Sequence, residues 1–137
     1  MMKKITIFML TLLCSSNVLA VWSNIGKGGA VGDSQEFTAY VDLETIKKND
    51  NKVKIWRLFD YNNPQTAPDG NTQYWSARYI DEYDCTDITT ERLSFSLLSE
   101  KMGGGVEVFS SSKKIAPKEI PPNTISKTIF NIACDTK

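Results

Sequence analysis

The positions of the three cysteines constrain this chain more than any other feature. Cys14 lies within the first 20 residues, whereas Cys85 and Cys134 lie in the remainder. Residues 1–20 have a basic start, a short apolar stretch and a small last residue, which is typical of a secretory signal peptide. Its removal leaves two cysteines in an oxidising compartment, so a disulfide is expected. The alternative is two free buried thiols.

The apolar stretch Ile5–Leu13 is too short to cross a bilayer, which takes about 20 residues. We expect cleavage after Ala20, which would leave residues 21–137 as a single domain in the periplasm or at the cell surface. Lipid attachment at Cys14 is the alternative. It is disfavoured because a leucine, rather than a small residue, precedes this cysteine.

The composition excludes several kinds of chemistry. The chain contains no histidine, so histidine-based triads and histidine-ligated zinc are ruled out. The two remaining cysteines do not have CxxC spacing, which argues against a thiolate zinc site. Glu82 and Asp84 would share one face of a strand, but paired carboxylates are common on protein surfaces and do not by themselves indicate catalysis. We therefore expect no catalytic residue, no metal and no cofactor. Basic and acidic residues are equal in number, 16 each, which argues against nucleic acid as a partner.

Alternation of apolar and polar residues predicts a protein built mainly from strands. Val53, Ile55 and Phe59 are expected to face inward with Arg57 interrupting them, and Leu93 is expected to face inward farther along the chain. Three consecutive glycines predict a tight hairpin connection rather than a phosphate-binding loop. The predicted strands are Glu36–Asp42, Val53–Tyr61, Tyr74–Cys85, Thr90–Leu98 and Gly105–Ser110.

The C-terminal residues predict a helix. Pro121 and Pro122 end the preceding segment, and Asn123 or Thr124 can cap a helix that follows. The helix has an apolar stripe but is rich in threonine, serine and asparagine, so its intrinsic propensity is poor. A disulfide would fix it to the longest strand by closing a loop of about 50 residues, worth on the order of 4 kcal/mol. The prediction is an α+β fold.

The ordered short motifs resemble the surface-adhesin protein E family of Gram-negative bacteria. The resemblance implies an antiparallel sheet of about five to six strands with a C-terminal helix tied to it by the cysteine pair. It also implies attachment to host proteins such as vitronectin or laminin, and a homodimer. The matching residues are Tyr40-Val41-Asp42 with Ile46, Val53-Lys54-Ile55-Trp56 with Asp60-Tyr61, Ser76, Glu82-Tyr83-Asp84-Cys85, Met102-Gly103 with Gly105, Pro122-Asn123-Thr124 and Ala133-Cys134.

An enzyme is the least favoured of three functions. The other two are compatible with these features. One is an exported, non-enzymatic binding protein that contacts a protein partner, such as a host matrix protein. The other is a periplasmic structural or inhibitor-like protein without an adhesive role. Candidate contacts in the first case are a basic cluster and a tryptophan, although lysines in such positions are more often a solvated face. These candidates are Lys47, Lys48, Lys52, Lys54 and Trp56, with Lys113, Lys114 and Lys118 as a second group.

Overall fold

An antiparallel sheet forms most of the protein. The computed structural model describes residues 21–135, so the expected signal peptide and Cys14 lie outside the described residues. Among residues 21–135, no helix is long and apolar enough to cross a membrane. The elements are β1 (Trp22–Gly28), β2 (Phe37–Asn49), β3 (Lys52–Thr66), β4 (Gln73–Asp84), β5 (Thr89–Leu98), a 3-10 turn (Lys101–Gly103), β6 (Glu107–Ser111), β7 (Lys118–Glu119) and α1 (Ile125–Asp135).

The strands follow one another through the sheet in chain order. Strands β1 to β6 form a meander in which each strand pairs antiparallel with the next. The two-residue strand β7 adds to β5 beside the end of β6, where Lys118 pairs with Thr90. Short connections between consecutive strands favour this arrangement. The α+β fold expected from the sequence is confirmed.

Helix α1 packs on one side of the sheet, which we call the helix face. Its Ile129 and Ala133 side chains are fully buried. The Lys127 N–H donates to Thr124 Oγ1 at 3.2 Å, so Thr124 is the N-cap. The Cys85–Cys134 disulfide, with a Cα–Cα distance of 5.7 Å, joins the last turn to the chain after β4. The buried cluster under the helix comprises Val41, Val53, Ile55, Tyr83, Ile120, Ile129, Phe130 and Ala133.

The first two strands differ from the prediction. Strand β1 lies in a glycine-rich segment whose residues do not alternate, and alternation therefore did not indicate it. The second strand does not end at Asp42 but continues through a bulge to Asn49. In the bulge, Thr45 Oγ1 accepts the Trp56 N–H at 3.2 Å and donates to Asp42 O at 2.8 Å. A side chain thus replaces a backbone partner, and the hairpin can continue.

The glycine-rich connection between β5 and β6 folds over the face opposite the helix. The Met102 N–H donates to Asp60 Oδ1 at 2.7 Å, and the Gly103 N–H donates to Ser76 Oγ at 2.9 Å. The Ser99 N–H donates to Val106 O at 2.9 Å and closes the hairpin that the sequence predicted. Leu58 is fully buried next to this turn, which explains an apolar residue on the face opposite the helix.

Candidate interaction surface

A row of aromatic rings crosses the helix face beside α1. Phe37 and Phe59 stack at a centroid distance of 4.0 Å, and Phe59 meets Tyr79 edge-on at 5.3 Å. Phe95 lies 6.2 Å from Tyr79 and 5.8 Å from Phe109. Tyr79 is 9% exposed, and the other rings are half-buried. We call this set the aromatic row: Phe37, Phe59, Tyr61, Tyr74, Tyr79, Phe95 and Phe109.

The row follows from strand alternation combined with register. Phe59 pairs with Ala39 on one side and with Ala77 on the other, and both alanines are fully buried. Small residues next to large ones leave room for each ring to lie along the sheet. Phe37 similarly covers Gly28, the residue opposite it on β1. The result is a continuous and rigid apolar surface over five strands, β2 to β6.

Two tyrosines end the row and add polar groups to it. Tyr61 and Tyr74 meet edge-on at a centroid distance of 5.8 Å. Burial raises the pKa of Tyr61, as do its neighbours Tyr79 and Tyr74, and burial also raises the pKa of Tyr74. Both phenols therefore stay neutral at physiological pH and can donate hydrogen bonds. A cavity of about 280 Å³ adjoins this end, lined by Gly29, Gln35, Phe37, Tyr61, Gln65 and Tyr74.

The predicted lysine cluster lies at the end of the β2–β3 hairpin. All four of its lysines are exposed, and Lys47 pairs directly with Lys54 across the two strands. Strand β4 places two carboxylates opposite: Glu82 pairs with Lys54 and Asp84 with Lys52, and the Lys52 Nζ lies 3.9 Å from Glu82 Oε1. These carboxylates offset much of the positive charge, so the cluster resembles a solvated strand face. Lys48 points to the other side of the sheet, since it neighbours Lys47 in the strand.

Trp56 shares the face opposite the helix with Lys54. It is half-buried, and the Arg78 guanidinium lies 5.5 Å from its ring centroid. The structure therefore separates the tryptophan from the aromatic row by the thickness of the sheet. The second predicted lysine group is also exposed, with Lys113 and Lys114 in a loop and Lys118 in β7.

Sequence reasoning missed the row as a surface, although alternation placed several of its rings inward. Phe59 occupies the inward position that the sequence predicted, and strand register places Tyr79 and Phe95 on the same face. The sequence did not reveal that α1 covers only the neighbouring part of the same face, where its own buried cluster lies. One aromatic residue at an inward position in each successive strand is the signal that would have found the row.

These features define a small α+β domain whose sheet face is divided between a disulfide-tethered helix and a partly exposed aromatic surface. The chain belongs to the surface-adhesin protein E family, whose model matches residues 22–135. No curated protein matches the chain. Within the part of the chain that the structure describes, no group of three or more Cys, Asp or Glu side chains could hold a metal ion.

Solved structures with a similar fold come from Haemophilus influenzae. The structure of its protein E has a TM-score of 0.61 and 17% identity, over 82% of this chain and 83% of that chain. Crystal form II of the same protein gives a TM-score of 0.60 and 17% identity, over 80% of this chain and 87% of that chain. Protein E from non-typeable Haemophilus influenzae gives 0.56 and 18% identity, over 71% of this chain and 69% of that chain. At this identity, the likeness shows the fold alone.

Proposed function

We propose that this chain is an exported, non-enzymatic binding protein that attaches to a protein partner through the aromatic row. The observation that carries the proposal is the partial exposure of a continuous set of aromatic rings on the helix face. Aromatic side chains are enriched in the centres of protein interfaces and supply much of the binding energy there. An extended apolar surface of this kind typically marks an interaction site.

The rigidity of the row supports binding. Its rings are fixed by their neighbours and by the small residues beneath them, such as Ala39 and Ala77. A partner would therefore immobilise few free rotamers, and the entropic cost of association stays low. The Tyr61 hydroxyl already interacts with Tyr79 and Tyr74, so the hydroxyl of Tyr74 is the one that can donate a hydrogen bond to orient the partner.

The partner class that we propose rests on the family resemblance. The resemblance to surface-adhesin protein E implies a host matrix protein, such as vitronectin or laminin, and a location outside the inner membrane. Binding through uncharged rings should depend weakly on salt, whereas binding through the lysine cluster should weaken strongly as salt is added. Salt dependence therefore distinguishes the two candidate surfaces.

The proposal is tested by measuring binding of the exported chain to immobilised vitronectin and laminin. Phe109→Ser removes a half-buried ring from the row, and Trp56→Ser is the matched control on the other face. We expect Phe109→Ser to weaken binding about tenfold or more and Trp56→Ser to leave it unchanged. The reverse result would refute the row as the binding surface. The row would also be refuted if binding were lost only in the double variant Lys47→Glu with Lys48→Glu.

A second copy of the chain is the competing occupant of the row, because the family resemblance also implies a homodimer. Sedimentation of the same Phe109→Ser variant separates the two cases. If the variant turns a dimer into a monomer and still binds matrix protein, the row is a dimer interface instead.

The periplasmic structural or inhibitor-like role remains the second candidate function. The location of the protein in the cell distinguishes this role from adhesion, because a protein confined to the periplasm cannot contact host matrix. Labelling of intact cells with an impermeant amine reagent, which reacts with the exposed lysines, decides between the two functions. Labelling only after cell lysis would exclude the adhesive role.

A further inference from the structure

A second cluster on the helix face holds two arginines and one carboxylate. The Arg57 Nε donates to Asp81 Oδ2, and these residues are only 7% and 3% exposed. The Arg92 Nε lies 3.7 Å from the other oxygen, Asp81 Oδ1. Both guanidinium groups also lie against Tyr79, with their Cζ atoms 4.1 Å and 4.3 Å from its ring centroid. Two cations therefore share one anion, which leaves an excess positive charge on Arg92, whose side chain is partly exposed.

A register shift creates this cluster. The β4–β5 pairing passes from Ile80 opposite Ser94 to Asp81 opposite Arg92 and skips Leu93. Simple alternation places Leu93 inward, whereas the bulge leaves Leu93 without a paired residue on β4 and sets Arg92 opposite the inward-facing Asp81. Bulges commonly re-aim a side chain in this way and are frequent near functional sites.

The cluster opens into a small cavity of about 210 Å³. A third cation reaches it from the edge of the sheet, because Lys118 of β7 pairs with Thr90. Ser126 also lines the cavity and lies in the first turn of α1, where the helix dipole favours negative charge. Acidic Glu119 follows Lys118 but pairs with Thr89, one position farther along β5. The cavity is thus lined by three cations and a single carboxylate.

The charge of the cluster persists although the groups are buried. Burial works against the charge of Arg57, but Asp81, Tyr83 and Tyr79 outweigh it, and the pKa of Arg57 is raised. The Arg92 side chain is 33% exposed, but its Nε is buried and has no hydrogen-bond partner among the described residues, so an anion that accepts from it would stabilise this arrangement. A guanidinium group donates two parallel hydrogen bonds that match the oxygens of carboxylate and phosphate groups.

We propose that this cavity binds a small oxyanion, with Arg92 and Lys118 contacting it and Asp81 holding the two guanidinium groups in place. The cavity is smaller than the 300 Å³ or so at which drug-sized sites begin, so it fits a single phosphate, sulfate or small carboxylate. The cluster adjoins the aromatic row at Tyr79, but the proposed ion ligands Arg92 and Lys118 are not members of the row. Loss of ion binding through either of these two residues is therefore distinguishable from loss of the proposed adhesive function.

The test is thermal unfolding of the exported chain with added phosphate, sulfate or acetate at constant ionic strength. Sodium chloride is the reference, since it changes screening without offering an oxyanion. A ligand that binds only the folded state raises Tm in a saturable manner. We expect such a rise with at least one of the three ions and none with chloride. Titration calorimetry with the most effective ion then gives its affinity.

Two variants locate the site without breaking the buried Arg57–Asp81 pair. Arg92→Gln and Lys118→Gln should each weaken binding of the ion about tenfold, whereas Lys113→Gln, an exposed lysine in the neighbouring loop, should not. Equal affinity in Arg92→Gln and the unchanged protein would overturn the proposal. So would a Tm that responds to chloride as much as to the oxyanions, or binding of a glutamate-rich peptide but of none of the three ions.

Discussion

The ring of Phe37 lies directly over Gly28 on the neighbouring strand. A Cβ atom on Gly28 would come within 2.2 Å of Phe37 Cζ, closer than any real contact. The backbone of Gly28 itself is not in a left-handed conformation, so the need for glycine here comes from the ring and not from a turn. The glycine thus sets the position of the first ring in the aromatic row.

Gly28→Ala should therefore disturb the row while leaving the sheet intact. The added methyl group displaces Phe37 from its 4.0 Å stack on Phe59, at a cost of about 1–3 kcal/mol in unfolding free energy. Urea denaturation measures the loss, and binding to matrix protein should weaken in parallel. Lys27→Ala, an exposed change in the same strand, is the control. Equal stability and binding in both variants would show that Phe37 has no role in the row.

The disulfide should supply a large share of the stability. Cys85 and Cys134 are separated by 49 positions, and replacing both with serine should cost on the order of 4 kcal/mol. Helix α1 has poor intrinsic propensity, so its circular dichroism signal should be lost at lower urea concentration than in the unchanged protein. Reductant should destabilise the unchanged protein and have no further effect on the double variant. An unaltered unfolding midpoint would mean that packing alone holds the helix.

Ser76 should be the residue that fixes the turn between β5 and β6. Its fully buried hydroxyl accepts the Gly103 N–H at 2.9 Å and donates to Glu100 O at 2.6 Å. Ser76→Ala leaves both backbone groups without that partner and should cost about 1–3 kcal/mol. Chemical denaturation checks this value against Ser112→Ala, an exposed change. Similar small losses in the two variants would contradict a structural role for the hydroxyl.

Asp84 should make stability depend on pH in the acid range. The Asp87 N–H lowers the pKa of Asp84, and the Thr86 N–H, Lys52 and Asn51 act in the same direction. A lowered pKa means that the carboxylate stabilises the fold above its ordinary value of 3.8, and that this contribution is lost as the pH falls through the lowered value.

Asp84→Asn should accordingly lower the unfolding midpoint at about pH 6 and have much less effect near pH 2.5. Urea denaturation at the two pH values, with Asp87→Asn as the control in the same turn, makes the comparison. A difference between Asp84→Asn and the unchanged protein that stays constant with pH would show that the charge is not what stabilises the turn.

Alternation of apolar and polar residues predicted the central strands because each of them keeps one apolar face along most of its length. It did not predict the local irregularities. Val53 and Ile55 occupy the inward positions expected of them, and the helix with its Thr124 cap was also predicted. Strand β1 was missed because glycines interrupt its pattern. The bulge that sets Arg92 opposite Asp81 was missed because register depends on the partner strand, which one sequence segment does not specify.

The candidate site was harder to predict than the fold. The sequence drew attention to the lysines because they form a group, and to Trp56 because an aromatic residue at an outward position of a strand is unusual. The importance of Phe95 and Phe109 depends on how far the helix extends over the sheet, and that follows from tertiary packing. Lysine exposure was predicted correctly, but the carboxylates facing Lys52 and Lys54 became evident only from strand register.

Hydroxyl-radical footprinting of the complex with matrix protein tests the binding surface most directly, because it reports the exposure of individual side chains. We predict that the oxidation rates of Tyr61, Tyr74, Phe95 and Phe109 fall in the complex while that of Trp56 stays the same. Protection of Trp56 with unchanged oxidation of the row would contradict the central claim and move the interface to the opposite face of the sheet.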